Sequence, residues 1–333
     1  MITLAQAKVG MADKVDQMIV DEFRRGSWLL DNLTFDNSIS PGTGGSTLAY
    51  GYIKLKTPAT AAFRPLNTEY TPNEAIREPQ TAYCKIFGGS FSLDRVIINT
   101  SGAVNELDFQ LREKITGATN LFHYAAINGD MAVNQDEFDG LDVFLTGSST
   151  EYNADGGAFD ISSSVLLDTQ YNRFLDMMDE FVSGLDSEPT AFLANTALAT
   201  KIKGIARRAG YYTRVEDAFG RSVDAWNDIP IIDMKSFYNG TASVPVVPIG
   251  EDGTTSLYVV TLAQDGFHGI SPLGTNVLQT ALPDLTAPGV VKSGDVELVA
   301  GVVLKNSLKA GCFRNIKVKA ATTTTPPVDP PIG

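Results

Sequence analysis

Residues 104–129, VNELDFQLREKITGATNLFHYAAING, hold the longest helical pattern in the chain. Val104, Leu107, Leu111, Ile115, Ala118, Leu121, Phe122 and Ala125 recur at three- and four-residue steps, which sets them along one face of a helix. Asp108, Arg112 and Glu113 fall elsewhere on its surface. A helix over 104–128 is about 35–40 Å long at 1.5 Å per residue, the proportions of a structural spine. Asn128-Gly129-Asp130 ends it, with Gly129 expected in the left-handed conformation that closes many helices.

Before the spine the pattern is extended rather than helical. Leu48 to Lys56 alternates, with Tyr50, Tyr52 and Lys54 on one face and Gly51, Ile53 and Leu55 on the other. Thr57 to Glu78 contains Pro58, Pro65 and Pro72 and few core residues, and Pro79 precedes the β-forming run Ala82 to Asn99. Two long strands joined by a polar connection make an extended arm. A two-stranded ribbon is marginal alone, so this one requires a neighbouring domain or subunit. Ser40-Pro41-Gly42-Thr43-Gly44-Gly45-Ser46 reads as a turn. Residues 3–31 read as an amphipathic helix capped by Thr3, carrying Leu4, Ala7, Met11, Val15, Met18 and Phe23.

Beyond the spine, 165–185 reads as a helix capped by one of Ser162, Ser163 or Ser164. Thr190 to Ala194 reads as a short buried strand, and Asn195 caps a helix that Gly210 stops. From 229 onward the chain is strand-rich, over 229–232, 244–249, 257–262, 267–270, 296–304 and 312–318. The run from Thr322 to Pro331 has the composition of an extended tail.

The chain has 333 residues, 43% of them hydrophobic, enough for two or three packed units. Mean hydropathy is −0.02 and no apolar run reaches the ~18 residues of a membrane span. With no signal-peptide pattern at the N-terminus, the expectation is a soluble chain made in the cytoplasm and no membrane partner. Cys84 and Cys312, the two cysteines, are read as buried reduced thiols. The net charge of −13 argues against a protein that grips nucleic acid, since each phosphate contact calls for Lys or Arg. Thirteen acids and one base, Arg173, lie between Asp136 and Glu188. Lys201 to Arg214 and Lys305 to Lys319 are basic without an intervening acid. Such opposed patches are either solvated faces or complementary contacts between copies.

Motifs for catalysis are missing. His123 and His268 are the two histidines, and neither has a ligand-spaced partner for zinc. No Gly-x-Ser-x-Gly elbow supports a nucleophile. The glycine-rich run at 42–47 lacks the lysine and the following helix of a phosphate loop. Asn134 to Leu145 has a superficial calcium-loop look, but the fifth position is Phe138 and the twelfth is Leu145 where a bidentate Glu is needed. No cofactor and no enzymatic activity are expected.

The order of elements resembles the major capsid protein of tailed bacteriophages, the Hong Kong 97-like shell fold. Met18 to Phe23 followed by Trp28 to Phe35 is similar to its N-terminal segment. Phe63-Arg64-Pro65-Leu66-Asn67 and Pro79-Gln80-Thr81 look like its arm, and Lys85 to Arg95 like the strand that leads back to the body. Ile127 to Asp130 with Glu137 to Leu141 resembles the segment after the spine. The resemblance implies an α+β chain with residues 1–39 as an N-arm and 40–82 as the extended loop. It also implies a peripheral domain over 83–159 completed by returning strands at 291–319, and an axial domain over 160–290. Residues 320–333 form the Thr/Pro tail.

The function so implied is structural: copies associate into pentamers and hexamers of an icosahedral shell around phage double-stranded DNA, located in the virion. Portal, scaffold or decoration proteins would be partners. Three groups are expected at contacts between copies: Phe63, Arg64, Glu69, Tyr70, Arg77 and Glu78 on the arm; Asp108, Arg112 and Glu113 on the spine; and Arg207, Arg208 and Arg214 facing acids such as Asp176, Asp179 or Glu180 of an adjacent copy. Some relatives cross-link through Lys and Asn, and Lys54 and Lys56 lie in the arm without a supporting motif. Alternatives are an encapsulin-like or gene-transfer shell, or an extracellular decoration or adhesin protein.

Overall fold

The computed structural model describes residues 28–38, 47–95, 106–154, 157–210, 213–216, 222–272 and 277–321. The amphipathic pattern before residue 28, the glycine-rich run 40–46 and the Thr/Pro segment after 321 lie outside the described residues. In chain order come α1 (Trp28–Asn32), β1 (Phe35–Asn37), β2 (Ala49–Thr57), β3 (Ile76–Tyr83), β4 (Lys85–Asp94) and α2 (Glu106–Asn128). Next are α3 (Leu141–Leu145), β5 (Glu151–Asn153), β6 (Phe159–Asp160), α4 (Ser164–Ser183), β7 (Ala191–Ala194) and α5 (Thr196–Ala209). Then follow β8 (Thr213–Glu216), β9 (Ser222–Trp226), β10 (Ile229–Asp233), β11 (Ser236–Tyr238), β12 (Ser243–Pro245) and β13 (Thr254–Val260). The last are β14 (Phe267–Ser271), β15 (Leu278–Ala281), β16 (Val291–Leu304) and β17 (Ala310–Lys317). The chain divides into two compact units, 1–143 with 262–306, and 144–261 with 307–333.

The first unit is built on β16. Its first ten residues pair antiparallel with β4, from Val291 opposite Asp94 to Ala300 opposite Lys85. Its last residues pair with β14, and β15 lies along its middle. From Lys292 to Leu298 alternate side chains turn inward, as a strand with one covered face requires. The spine helix runs over Glu106–Asn128, with Leu111, Ile115, Ala118, Phe122 and Ala125 buried and Leu107 and Leu121 half-buried, while Val104 lies outside the described residues. Asp108, Arg112 and Glu113 are exposed. Phe122 sits at the centre of an aromatic cluster with ring centroids 6.2 Å from Phe35, 6.1 Å from Phe87 and 5.9 Å from Phe138.

Gly129 does not take the left-handed conformation expected of it. Its role is close approach. The Gly140 N–H donates to the Gly129 carbonyl oxygen at 2.8 Å, which folds the 130–139 loop back onto the helix end. A Cβ on Gly140 would lie 2.6 Å from the Ala125 carbonyl oxygen, and one on Gly129 would lie 2.2 Å from that of Phe138. The loop's carboxylates are taken up locally, Asp139 by the Met131 N–H and Asp130 by the Ala132 N–H. Among the described residues no group of three or more acids, histidines and cysteines is placed to hold a metal ion. No helix among them is long and apolar enough to cross a membrane.

The second unit has an eight-stranded sheet in the order β5-β17-β13-β7-β10-β9-β8, with β6 also on β17. Ser163 caps α4 through the Leu166 N–H, and Asn195 caps α5 through the Leu198 N–H. Gly210 ends α5 at φ 77°. Phe174 and Phe181 of α4 meet Phe313 of β17, with Phe159, Phe192, Leu198 and Ile202 in the same core.

Two expected boundaries differ. Residues 262–290 join the first unit because β14 and β15 pair with β16, rather than forming part of a domain over 160–290. The stretch 291–319 does not stay together: β16 remains in the first unit, while β17 is inserted between β13 and the pair β5 and β6. The cause is burial. Phe313 and Ile316 are fully buried and need the cover of the second unit's core.

Phe122→Ala is expected to lower the free energy of unfolding by about 3–5 kcal/mol, measured by chemical denaturation. A loss below about 1 kcal/mol would place the core elsewhere.

Candidate assembly interface

Strands β2 and β3 form a hairpin from Ala49 opposite Tyr83 to Thr57 opposite Ile76, with an irregularity between Leu55 and Thr57. The partner of β2 is thus 76–83, not the longer run 82–99 read from the sequence. Cys84 breaks that run, and 85–94 turns away to pair with β16. Pro79 is tolerated because β3 has β2 on one side only, and an edge strand needs fewer N–H donors.

Beyond its root the hairpin is largely exposed. Phe63 and Leu66 at its far end are 107% and 87% exposed, and Ile53, Leu55, Tyr70, Ile76 and Tyr83 are exposed too. Large apolar side chains this exposed are candidates for a contact site. Local bonds shape the end of the loop. The Arg64 guanidinium lies 5.3 Å from the centre of the Tyr70 ring and donates to the Thr68 carbonyl oxygen at 3.1 Å. Asn73 and Thr60 hydrogen-bond across it. Lys56 pairs with Glu78 at 3.2 Å, an exposed pair worth little. Of the arm residues singled out by sequence, Phe63, Arg64, Glu69, Tyr70 and Arg77 are exposed and Glu78 is partly covered.

The other groups lie on other elements. Asp108, Arg112 and Glu113 lie on the exposed side of α2. In the second unit, Arg208 reaches Asp168 at 2.5 Å, and Arg214 shares Asp224, at 3.6 Å, with Lys203 at 2.6 Å. Those two arginines therefore already have carboxylates within their own copy. Arg207 is exposed beside them on the last turn of α5. Glu180 accepts from the Tyr152 hydroxyl at 2.8 Å.

Sequence reasoning missed the hairpin's root. The Tyr50 hydroxyl donates to Asp36 at 2.6 Å, and Tyr50, Tyr52 and Ala82 pack on buried Cys84, Ile270 and Val303. Burial and the Asp36 carboxylate push the Tyr50 phenol upward, and the Tyr50 hydrogen bond holds Asp36 below the usual carboxylate range. The one available signal was Tyr50 and Tyr52 sharing a strand face.

No protein-family model matches the sequence, and no curated protein matches it. Solved structures do match. The holo-SrpI encapsulin complex from Synechococcus elongatus PCC 7942 gives a TM-score of 0.62 at 16% identity, covering 89% of this chain and 89% of that one. The capsid of a native GTA particle gives 0.57 at 11% identity, over 86% and 89%. The capsid of Myoviridae phage XM1 gives 0.56 at 11% identity, over 87% and 91%. The chain has the Hong Kong 97-like shell fold.

Replacing Phe63 and Leu66 together by Ala is expected to leave unfolding of the chain within about 0.5 kcal/mol of wild type. Self-association should weaken at least about tenfold per contact, read by sedimentation. Unchanged association would remove the hairpin end from the interface.

Proposed function

We propose that this chain is the major capsid protein of a tailed bacteriophage. Its copies associate into pentamers and hexamers, and these close into an icosahedral shell around double-stranded DNA. The carrying observation is the hairpin 49–83, which exposes Ile53, Leu55, Phe63, Leu66 and Ile76 on a chain with the shell fold. In this reading the hairpin lies across a neighbouring copy, with Phe63, Arg64, Glu69, Tyr70, Arg77 and Glu78 in contact. Asp108, Arg112 and Glu113 of the spine, and Arg207, Arg208 and Arg214, offer further polar contacts between copies.

The first unit then takes the arm, loop and peripheral roles, and the second packs around the five- and six-fold axes. Heterologous contacts that close into rings give such a shell its symmetry. Many modest contacts per copy make the particle durable. The net charge of −13 suits a wall that encloses DNA without gripping it. Portal, scaffold or decoration proteins complete the particle, which is made in the host bacterial cytoplasm and carried in the virion. The chain acts structurally and needs no cofactor.

A second reading is a protein compartment. The encapsulin comparison has a higher TM-score, 0.62, than the GTA or phage XM1 capsids, 0.57 and 0.56.

The test is expression of the full chain followed by sedimentation and negative-stain microscopy. Closed particles, or rings of five and six, are expected. A stable monomer of 35.7 kDa overturns the shell reading. Particles purified from the native source should hold nuclease-protected DNA; an enzyme cargo in its place favours the compartment.

A further inference from the structure

The hairpin leaves the first unit at a small mixed cluster. The Tyr50 ring meets the His268 ring edge-on, with centroids 6.1 Å apart, while its hydroxyl donates to Asp36. The Lys305 ammonium lies 5.1 Å from the centre of the Tyr50 ring and 4.0 Å from Asp36 Oδ2. His268 is fully buried. Its Nδ1 is 3.3 Å from the Gly266 carbonyl oxygen, and among the described residues its Nε2 has no hydrogen-bond partner. A buried ring nitrogen left unbonded is costly, and far more so once the ring is charged.

This cluster, with Tyr52, Ala82 and Cys84, is where the hairpin holds to the sheet. The charged and titratable groups facing His268 are Asp36 from β1, Tyr50 from β2, Lys305 beyond the end of β16, and Asp265 from the turn before β14. Burial and Lys305 disfavour the imidazolium, while the Gly266 carbonyl and the two carboxylates favour it, and the balance holds His268 below the ordinary histidine range. Asp36 is held ionised by its Tyr50 bond, and burial keeps the Cys84 thiol neutral. His268 is therefore the first member of the cluster to change charge as neutral solution is acidified.

We propose that His268 is an acid-released latch for the hairpin: neutral, it seats Tyr50 and fixes the 49–83 arm to its sheet; protonated, it admits water at the root and frees the arm. The direction follows from linkage. The closed root disfavours the charged ring, whereas an open, hydrated root leaves it ordinary, so opening takes up a proton. Closure is strongest above the ordinary histidine pKa of about 6.5 and weakens as pH falls below it. The latch belongs to the single chain and does not rest on the shell reading; a chain that formed no particles would still show it.

Hydrogen–deuterium exchange of the full-length chain between pH 7.5 and 5, with each amide rate divided by its intrinsic rate, tests the latch. Protection at 49–57 and 76–83 should fall progressively across that range, by more than about twofold, while the amides of α2 keep theirs, the pattern of a local opening. His268→Gln, which cannot titrate, should hold the change to less than about twofold. Lys305→Gln removes the like charge from a partly exposed position and should move the midpoint to higher pH. Constant hairpin protection in the wild type overturns the latch, as does a pH-dependent loss that His268→Gln retains. If His268→Gln does not fold, Lys305→Gln decides alone, and a midpoint that stays or falls overturns it.

Discussion

A two-stranded ribbon has two faces and no third layer to cover either. Backbone pairing between β2 and β3 satisfies the inner donors and acceptors, yet Ile53, Leu55, Phe63, Leu66 and Ile76 stay in water. Burial of each would contribute about 1.5–3 kcal/mol, and nothing within the hairpin can supply it. Both units of the body, by contrast, have complete aromatic cores, around Phe122 in one and Phe174 with Phe313 in the other. The ribbon is thus an unfinished element carried on a finished base. A partner surface is what this element lacks.

More of the charge is paired within one copy than a linear reading suggests. Read along the chain, the basic stretches complement the acidic stretch of another copy. In three dimensions Arg208, Arg214 and Lys203 meet Asp168 and Asp224, and Lys317 lies 3.8 Å from Asp160. Arg314 reaches Glu151 and Thr146 in the same unit. Several bases of the two basic stretches therefore have carboxylate partners within their own copy. The surplus of acid then acts as a solubilising coat.

How much could be read from the chain depended on how local the governing force was. The spine was legible because one face is apolar and the other charged, and the caps at Ser163, Asn195 and Gly210 act within a single turn. The hairpin's existence was legible from alternation, but not its pairing: Pro79 and the charges Arg77 and Glu78 disguised β3 as a loop. Gly129 was read as a conformational exception when it is a spatial one, set by the Phe138 carbonyl nine residues on. The division between units turns on β16 and β17, which run on in sequence yet join different sheets. The root cluster joins residues 36, 50, 268 and 305, and no window along the chain contains them together.

The position of β17 bears on how the protein is made. It fills the gap between β13 and the short strands β5 and β6, so one side of the second unit's sheet is completed by the last of its strands to leave the ribosome. Until residues 310–317 emerge, the nascent chain holds an open seam lined by unpaired backbone, the kind of exposed edge that chaperones guard. A truncated product lacking β17 would keep that seam permanently, marking it for degradation before it could enter any larger structure.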